Sequence, residues 1–136
     1  MATKLRLEIV TPEERTYSED IDYVELPGKM GEMGVYPNHV ALLTEIVPGE
    51  FKVTNEGRDF VLAVGSGVAE ITGQRVSVMT DMAVKEADID EAAVEAAIKR
   101  AQAAMAEKLS AEDTAAVQAT LLRSLAQLKV KRRKRS

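Results

Sequence analysis

Residues 88–131 read DIDEAAVEAAIKRAQAAMAEKLSAEDTAAVQATLLRSLAQLKVK. The stretch holds neither Gly nor Pro, is rich in Ala, and is broken once, at Leu109-Ser110-Ala111-Glu112-Asp113. Two helices joined by a short turn are the expectation. Asp88 or Asp90 is placed to cap the first helix, and Asp88, Asp90 and Glu91 set acids where the helix dipole favours them. Ser110 begins the second, with Asp113 three residues on as a weak variant of the capping box. A basic tail follows, Lys129-Val130-Lys131-Arg132-Arg133-Lys134-Arg135.

The two helices differ in their apolar lines. The first carries Ile89, Ala93, Ala97, Ala101, Ala104 and Met105, with Arg100 beside it, and each Ala methyl buries on the order of 0.8 kcal/mol. The second carries Val117, Leu121, Leu125 and Leu128 at helical spacing, with Leu122 alongside. A Leu stripe is ordinarily core. Facing an Ala stripe and ending in a basic tip, it also suits an element that packs at home or leaves, with a free-energy gap of only a few kcal/mol for a partner to tip.

Everything before residue 88 reads as strand and turn. Leu5, Leu7 and Ile9 alternate with Arg6 and Glu8, the period of a strand with one face in the core. Thr11-Pro12-Glu13-Glu14 stops it. Further apolar runs are 21–26, closed by Pro27-Gly28, and 40–47, closed by Pro48-Gly49; each Pro-Gly pair suits the centre of a type II turn. Residues 51–54 and 60–64 flank Asn55-Glu56-Gly57-Arg58-Asp59, a hairpin loop. Gly65-Ser66-Gly67 precedes 68–71, and Thr72-Gly73-Gln74 leads into 75–79. Short strands at regular spacing indicate an antiparallel β-sandwich or flattened barrel ending near Val84. The expected architecture is therefore a β body over 1–87 and a C-terminal α-helical hairpin over 88–136.

Composition bounds the function. The chain has 136 residues, 46% apolar and 4% aromatic, enough for an aliphatic core. Without Cys there is neither a disulfide framework nor thiolate chemistry, and one His excludes the usual His-clustered metal sites. The longest apolar run, from Phe60 to Ala69, falls far short of the roughly 20 residues of a membrane span, and Met1-Ala2-Thr3-Lys4 opens no signal peptide. Residues 1–87 hold 8 basic and 15 acidic side chains, and residues 88–136 hold 10 and 7, so an acidic body bears a basic extension within a net charge of −4. Such a tail is either a solvated end or a contact with an acidic partner surface. As a nucleic-acid module it lacks interleaved aromatics on an acidic body. A stand-alone enzyme would need a carboxylate pair, nucleophile or metal constellation that does not stand out.

Gly28-Lys29-Met30-Gly31-Glu32-Met33-Gly34-Val35-Tyr36-Pro37-Asn38-His39 reads as a long loop that sets Met30, Met33 and Tyr36 where loops are normally polar. It lacks a Gly-Lys-Ser/Thr ending and a following helix, so it is no phosphate cradle. His39 has no Ser or Cys partner in a recognisable catalytic arrangement and reads as a structural or contact residue. The loop is expected to be a protein-contact surface.

The run Gly31-Glu32-Met33-Gly34-Val35-Tyr36-Pro37-Asn38-His39-Val40-Ala41-Leu42-Leu43-Thr44, with Pro48-Gly49 after it, resembles the signature of the epsilon subunits of bacterial-type F-type ATP synthases. The resemblance extends to Leu5–Val10, to Gly65-Ser66-Gly67-Val68-Ala69-Glu70, to Ile89-Asp90 and to Leu125-Ala126-Gln127-Leu128-Lys129-Val130. It implies a sandwich of about ten strands with a helix-turn-helix, in a non-catalytic subunit of the central rotor stalk. The implied partners are the gamma subunit, the c-ring and the alpha/beta catalytic head, without nucleic acid or direct membrane insertion. The implied place is peripheral, on the cytoplasmic face of the cell inner membrane.

The resemblance also assigns residues. Glu32 falls at the acid that contacts the c-ring, and Met33, Tyr36, Pro37 and His39 share the c-ring and gamma contact region. In bacterial members the C-terminal helices fold down on the sandwich or extend along gamma, where basic side chains meet an acidic loop of the catalytic subunits and block ATP hydrolysis. Arg123, Lys129, Lys131, Arg132 and Arg133 are the candidates for that contact. ATP-sensing members carry Ile/Leu-Asp, two variable residues, then Arg-Ala, and here Ala93 stands where the Arg would be. An Ala cannot replace an Arg fork on a nucleotide. Ile89, Asp90, Arg100 and Arg123 are left to build at most a weak ATP site, and no cofactor is expected.

Overall fold

A computed structural model describes residues 3–13 and 15–133; the side chains of residues 15, 16 and 133 lie outside the described set. Ten strands come first: β1 (Leu5–Val10), β2 (Arg15–Ile21), β3 (Tyr23–Gly28), β4 (Gly31–Val35), β5 (Leu42–Ile46), β6 (Gly49–Asn55), β7 (Arg58–Val64), β8 (Gly67–Ile71), β9 (Arg75–Thr80) and β10 (Ala83–Lys85). A short 3₁₀ turn, Glu86–Asp88, leads into α1 (Glu91–Met105) and α2 (Ala111–Arg133).

The strands form one curled sheet in the order β10-β7-β6-β3-β5-β8-β9-β1-β2, with β4 paired to β3. It folds over on itself, and Tyr17 of β2 meets Phe60 of β7 with ring centroids 5.7 Å apart. Ten strands and a helical pair match the expected fold class, with one departure in pairing: β1 lies parallel to β9 while the other ladders are antiparallel. Between the layers, Leu5, Leu7 and Ile9 interlock with Val24, Leu26, Phe51, Val53, Leu62, Val64, Ile71, Val76 and Val78, all essentially without solvent exposure. The alternation read in 5–9 is thus the core face of β1.

Three local readings change. The supposed loop 28–39 contains strand β4, which pairs with β3 so that Pro27 lies opposite Glu32 and Gly28 opposite Gly31. Pro27-Gly28 therefore lies inside β3, and the chain reverses at Lys29-Met30. Neither Gly28 nor Gly49 has the positive φ of a type II turn, since the positive-φ glycines among the described residues are Gly31 and Gly57. β2 had no apolar run to announce it: Ser18, Glu19 and Asp20 are polar, and among its described side chains Tyr17 and Ile21 are the buried ones. The 55–59 hairpin is tighter than its sequence suggested, turning at Glu56-Gly57 with φ of 52° and 78°, the two positive angles of a type I′ turn.

Both helix caps form as read. Asp90 accepts a hydrogen bond from the Ala93 amide at 3.1 Å, and Ser110 Oγ accepts one from the Asp113 amide at 3.0 Å. The stripes are phased differently. On α1 the buried residues are Val94, Ile98 and Ala101, while Ala93 faces solvent. On α2, Ser124, Ala126 and Val130 are buried, and Leu122 and Leu125 remain 50% and 43% exposed. The reason is geometric: α2 has two neighbours, α1 and the sheet, and at about 100° per residue Val130 and Leu121 point to different sides. A single stripe cannot describe a helix buried on two faces.

Candidate functional site

Strand β7 decides where the hairpin sits. Phe60, Leu62 and Val64 point into the sandwich core, and the alternate residues Val61 and Ala63 point out. Ala63 is fully buried because Ile89, Val94, Ile98 and Val130 cover it, with Val61, Met82, Val84, Leu121 and Leu128 packed around them. A strand apolar on both faces is buried on both. The unbroken apolar run 60–64 carries that signal in the sequence.

Along the sandwich side of α2, Arg123, Gln127 and Val130 follow at helical spacing. Arg123 Nη1 pairs with Asp81 Oδ2 at 3.2 Å, and Gln127 Nε2 lies 3.1 Å from Met82 Sδ. Nearer the helix end, Arg132 pairs with Glu95 at 2.6 Å and Glu91 at 3.3 Å, closing α2 onto α1. Hydrogen bonds to Glu95 and then Glu91 raise the Arg132 pKa further above its ordinary value. Of the basic residues singled out in the sequence, Arg123 and Arg132 are therefore engaged within the chain. Lys129 is exposed and Lys131 partly so; Arg133 closes α2 with its side chain outside the described residues.

Most of the residues left for a nucleotide are engaged elsewhere. Ile89 is buried in the hairpin dock, Asp90 is occupied as a cap, and Arg123 is turned to Asp81. Arg100 lies at a groove of about 270 Å³ between the helices, lined by Ala97, Ala104, Ala116, Val117 and Thr120. Among the described residues no group of three or more His, Cys, Asp or Glu is arranged for a metal ion.

The second surface lies on β4 and the turn after it. Glu32 is exposed on the outer face, and Met33 points inward against the core. Tyr36 is 65% exposed yet held: its ring lies 4.3 Å from that of Tyr23. Gly34 permits this, because a β-carbon there would collide with the Tyr23 ring and hydroxyl. Burial first, then the charge of Glu25, raises the Tyr23 pKa. Pro37 is partly exposed, and His39 Nδ1 lies 2.6 Å from the Val40 carbonyl. Met30, at the β3–β4 turn, is 98% exposed.

An apolar row crosses the other outer face. Val68 pairs with Met79, and Met79 with Val10, across β8, β9 and β1. Met79 is 67% exposed and Leu43, on the adjoining β5, 68%. Val10 following Ile9 breaks the alternation of β1, which was its signal.

No helix among the described residues is long and apolar enough to cross a membrane. The family description "ATP synthase, Delta/Epsilon chain, beta-sandwich domain" matches residues 4–86. The ATP synthase epsilon chain of Laribacter hongkongensis (strain HLHK9) is 39% identical over 127 residues, covering 92% of this chain and 91% of that one. A chain in the Euglena gracilis mitochondrial ATP synthase structure, an OSCP/F1/c-ring assembly, superposes with a TM-score of 0.74 at 21% identity, covering 90% of this chain and 78% of the other. A chain in the central stalk/c-ring structure of Tetrahymena thermophila mitochondrial ATP synthase gives 0.59 at 10% identity, over 94% of this chain and 96% of the other. At those identities the two structures establish a shared fold.

Proposed function

Because the chain belongs to the ATP synthase delta/epsilon family, we propose that it is a non-catalytic subunit of the rotor central stalk, coupling the catalytic head to the c-ring of a proton- or sodium-translocating ATP synthase. The observation that carries this reading is the division of surfaces on one sandwich. One outer face is covered by the chain's own hairpin, while the β4 turn and the Val10–Met79–Val68 row remain open to partners. Glu32, Tyr36, Pro37 and His39 meet the c-ring and gamma, with Met33 supporting them from the core. The complex is membrane-associated, and this subunit lies peripherally on the cytoplasmic face of the inner membrane.

Residues 1–87 act as the docking body and 88–136 as a movable arm. Extended, the arm offers Arg123, Lys129, Lys131, Arg132 and Arg133 to an acidic surface of the alpha/beta head and restrains ATP hydrolysis. What supports this is the apolar dock, which meets the sheet at an alanine, Ala63, and the basic end of α2. An α2 of 23 residues spans about 34 Å, enough to reach into a central cavity. Asp90 is spent as the α1 cap and Arg123 is paired with Asp81, which disfavours an ATP site in the docked arm.

Deleting residues from Ser110 onward in the assembled enzyme tests the reading. Assembly with gamma persists and ATP hydrolysis rises. Unchanged hydrolysis in a fully assembled truncated complex would sink the inhibitory role and leave the rotor role standing.

A further inference from the structure

The Gly65-Ser66 turn holds a carboxylate ready for the hairpin. Asp81 N donates to the Ser66 carbonyl at 3.1 Å, Gly65 N to the Met82 carbonyl at 2.9 Å, and buried Thr80 Oγ1 to the Ser66 carbonyl at 3.0 Å. Ser66 Oγ donates to Asp81 Oδ2 at 3.4 Å. A β-carbon on Gly65 would occupy the place of Asp81 Oδ1, so the missing side chain is what lets the carboxylate lie against the turn. The β8 and β9 ends thus fix Asp81 before α2 arrives.

The guanidinium is prepared from its own side. Arg123 Nη2 donates to Thr120 Oγ1 at 3.2 Å one helical turn back, and Thr120 Oγ1 donates to the Ala116 carbonyl at 3.2 Å. Arg123 Nη1 then reaches Asp81 Oδ2 at 3.2 Å, with the two side chains 31% and 38% exposed. Because both groups are held in place, less rotamer freedom is lost when they pair than for two free surface side chains. The apolar dock around Ala63 is small, so a charge contact at its edge weighs in whether the hairpin stays.

We infer that Asp81 is the receptor of a charge latch that sets how much of the hairpin stays docked, by holding Arg123 in the place an acidic partner surface would otherwise take. The inference rests on the movable-arm reading above and adds its regulation: the chain carries an internal competitor for one of its own inhibitory cations. A docked α2 keeps Arg123 at Asp81, and an extended one carries it away to the partner surface, so the two contacts exclude each other. Docking and inhibition therefore draw on the same side chain, and raised salt weakens the latch.

The chain has no Cys, so labels on cysteines introduced at exposed Arg58 and Gln118 report the docked fraction of the full-length protein. Asp81→Asn and Arg123→Gln each raise the undocked-to-docked ratio roughly two- to fivefold at low salt. Gly65→Ala does the same with both charges intact, and the exchange of Asp81→Arg with Arg123→Asp restores docking. An unchanged ratio in both single-charge variants, or undocking that the exchange leaves uncorrected, overturns the latch. In the assembled enzyme Asp81→Asn lowers ATP hydrolysis. If the labels separate while hydrolysis stays level, the latch stands and the inhibitory reading of the arm falls.

Discussion

Tyr23 lies across Gly34 so closely that a β-carbon on Gly34 would overlap the tyrosine hydroxyl, and that same Tyr23 ring carries Tyr36 at a centroid distance of 4.3 Å. The exposed aromatic at the end of β4 is therefore placed by a glycine two residues before it. Gly34→Ala should destabilise the sandwich by about 1–3 kcal/mol through overpacking. It should also release the Tyr36 stack. With three Tyr and no Trp in the chain, urea melts followed by tyrosine fluorescence read both effects.

Tyr36 and Glu32 project from the same face of β4 and its turn, and neither is needed for the core. Tyr36→Ala should weaken binding to the isolated c-ring by about 2 kcal/mol, in the range of an aromatic anchor, and Glu32→Gln by less. The melting of the free chain should move by no more than about 0.5 kcal/mol in either variant. Equal losses of stability and of binding would assign both residues to folding instead.

Ala63 holds the dock from the sheet side. Ala63→Asp sets an unpaired carboxylate under Ile89, Val94, Ile98 and Val130, a burial that costs several kcal/mol unless the hairpin lifts away. The expected result is a folded sandwich with an undocked hairpin. Hydrogen exchange should speed up across α1 and α2 and stay slow in β1 and β9.

Asp22 ties the β2–β3 junction to the β6–β7 hairpin. Its carboxylate accepts from Lys4 Nζ at 2.7 Å and from the Glu56 amide at 2.7 Å, and those bonds, Lys4 first, hold its pKa below the usual carboxylate value. A depressed folded-state pKa adds stability above the unfolded value of about 3.9, and that stability drains away as pH falls through the folded one. The native chain should thus exceed Asp22→Asn in stability at pH 7. The gap should close progressively below about pH 4, as measured by urea denaturation at several pH values.

Much of this was legible because local chemistry announces itself. Alternation in 5–9 gave the core face of β1, the Ala-rich Gly-free run gave two helices, and Asp90 and Ser110 gave their caps. What escaped was structure that depends on a neighbour. β2 is polar along most of its length and is a strand because β1 pairs with it from Leu5 opposite Ile21 to Val10 opposite Arg15. β4 looks like a glycine-rich loop until β3 lies beside it.

By itself the sequence determined the two-part architecture, the family signature across 31–44, the basic arm, and an Ala at position 93, since each rests on residue identity and near-neighbour spacing. Tertiary structure decided which of those residues are available. It buried Ile89, spent Asp90 on a cap, turned Arg123 to Asp81 and Arg132 to Glu91 and Glu95, and phased α2 against two partners at once. Those pairings join residues 42, 41 and 37 positions apart in the chain; the packing of α2 on the sandwich brings the first within reach, and its packing on α1 the other two.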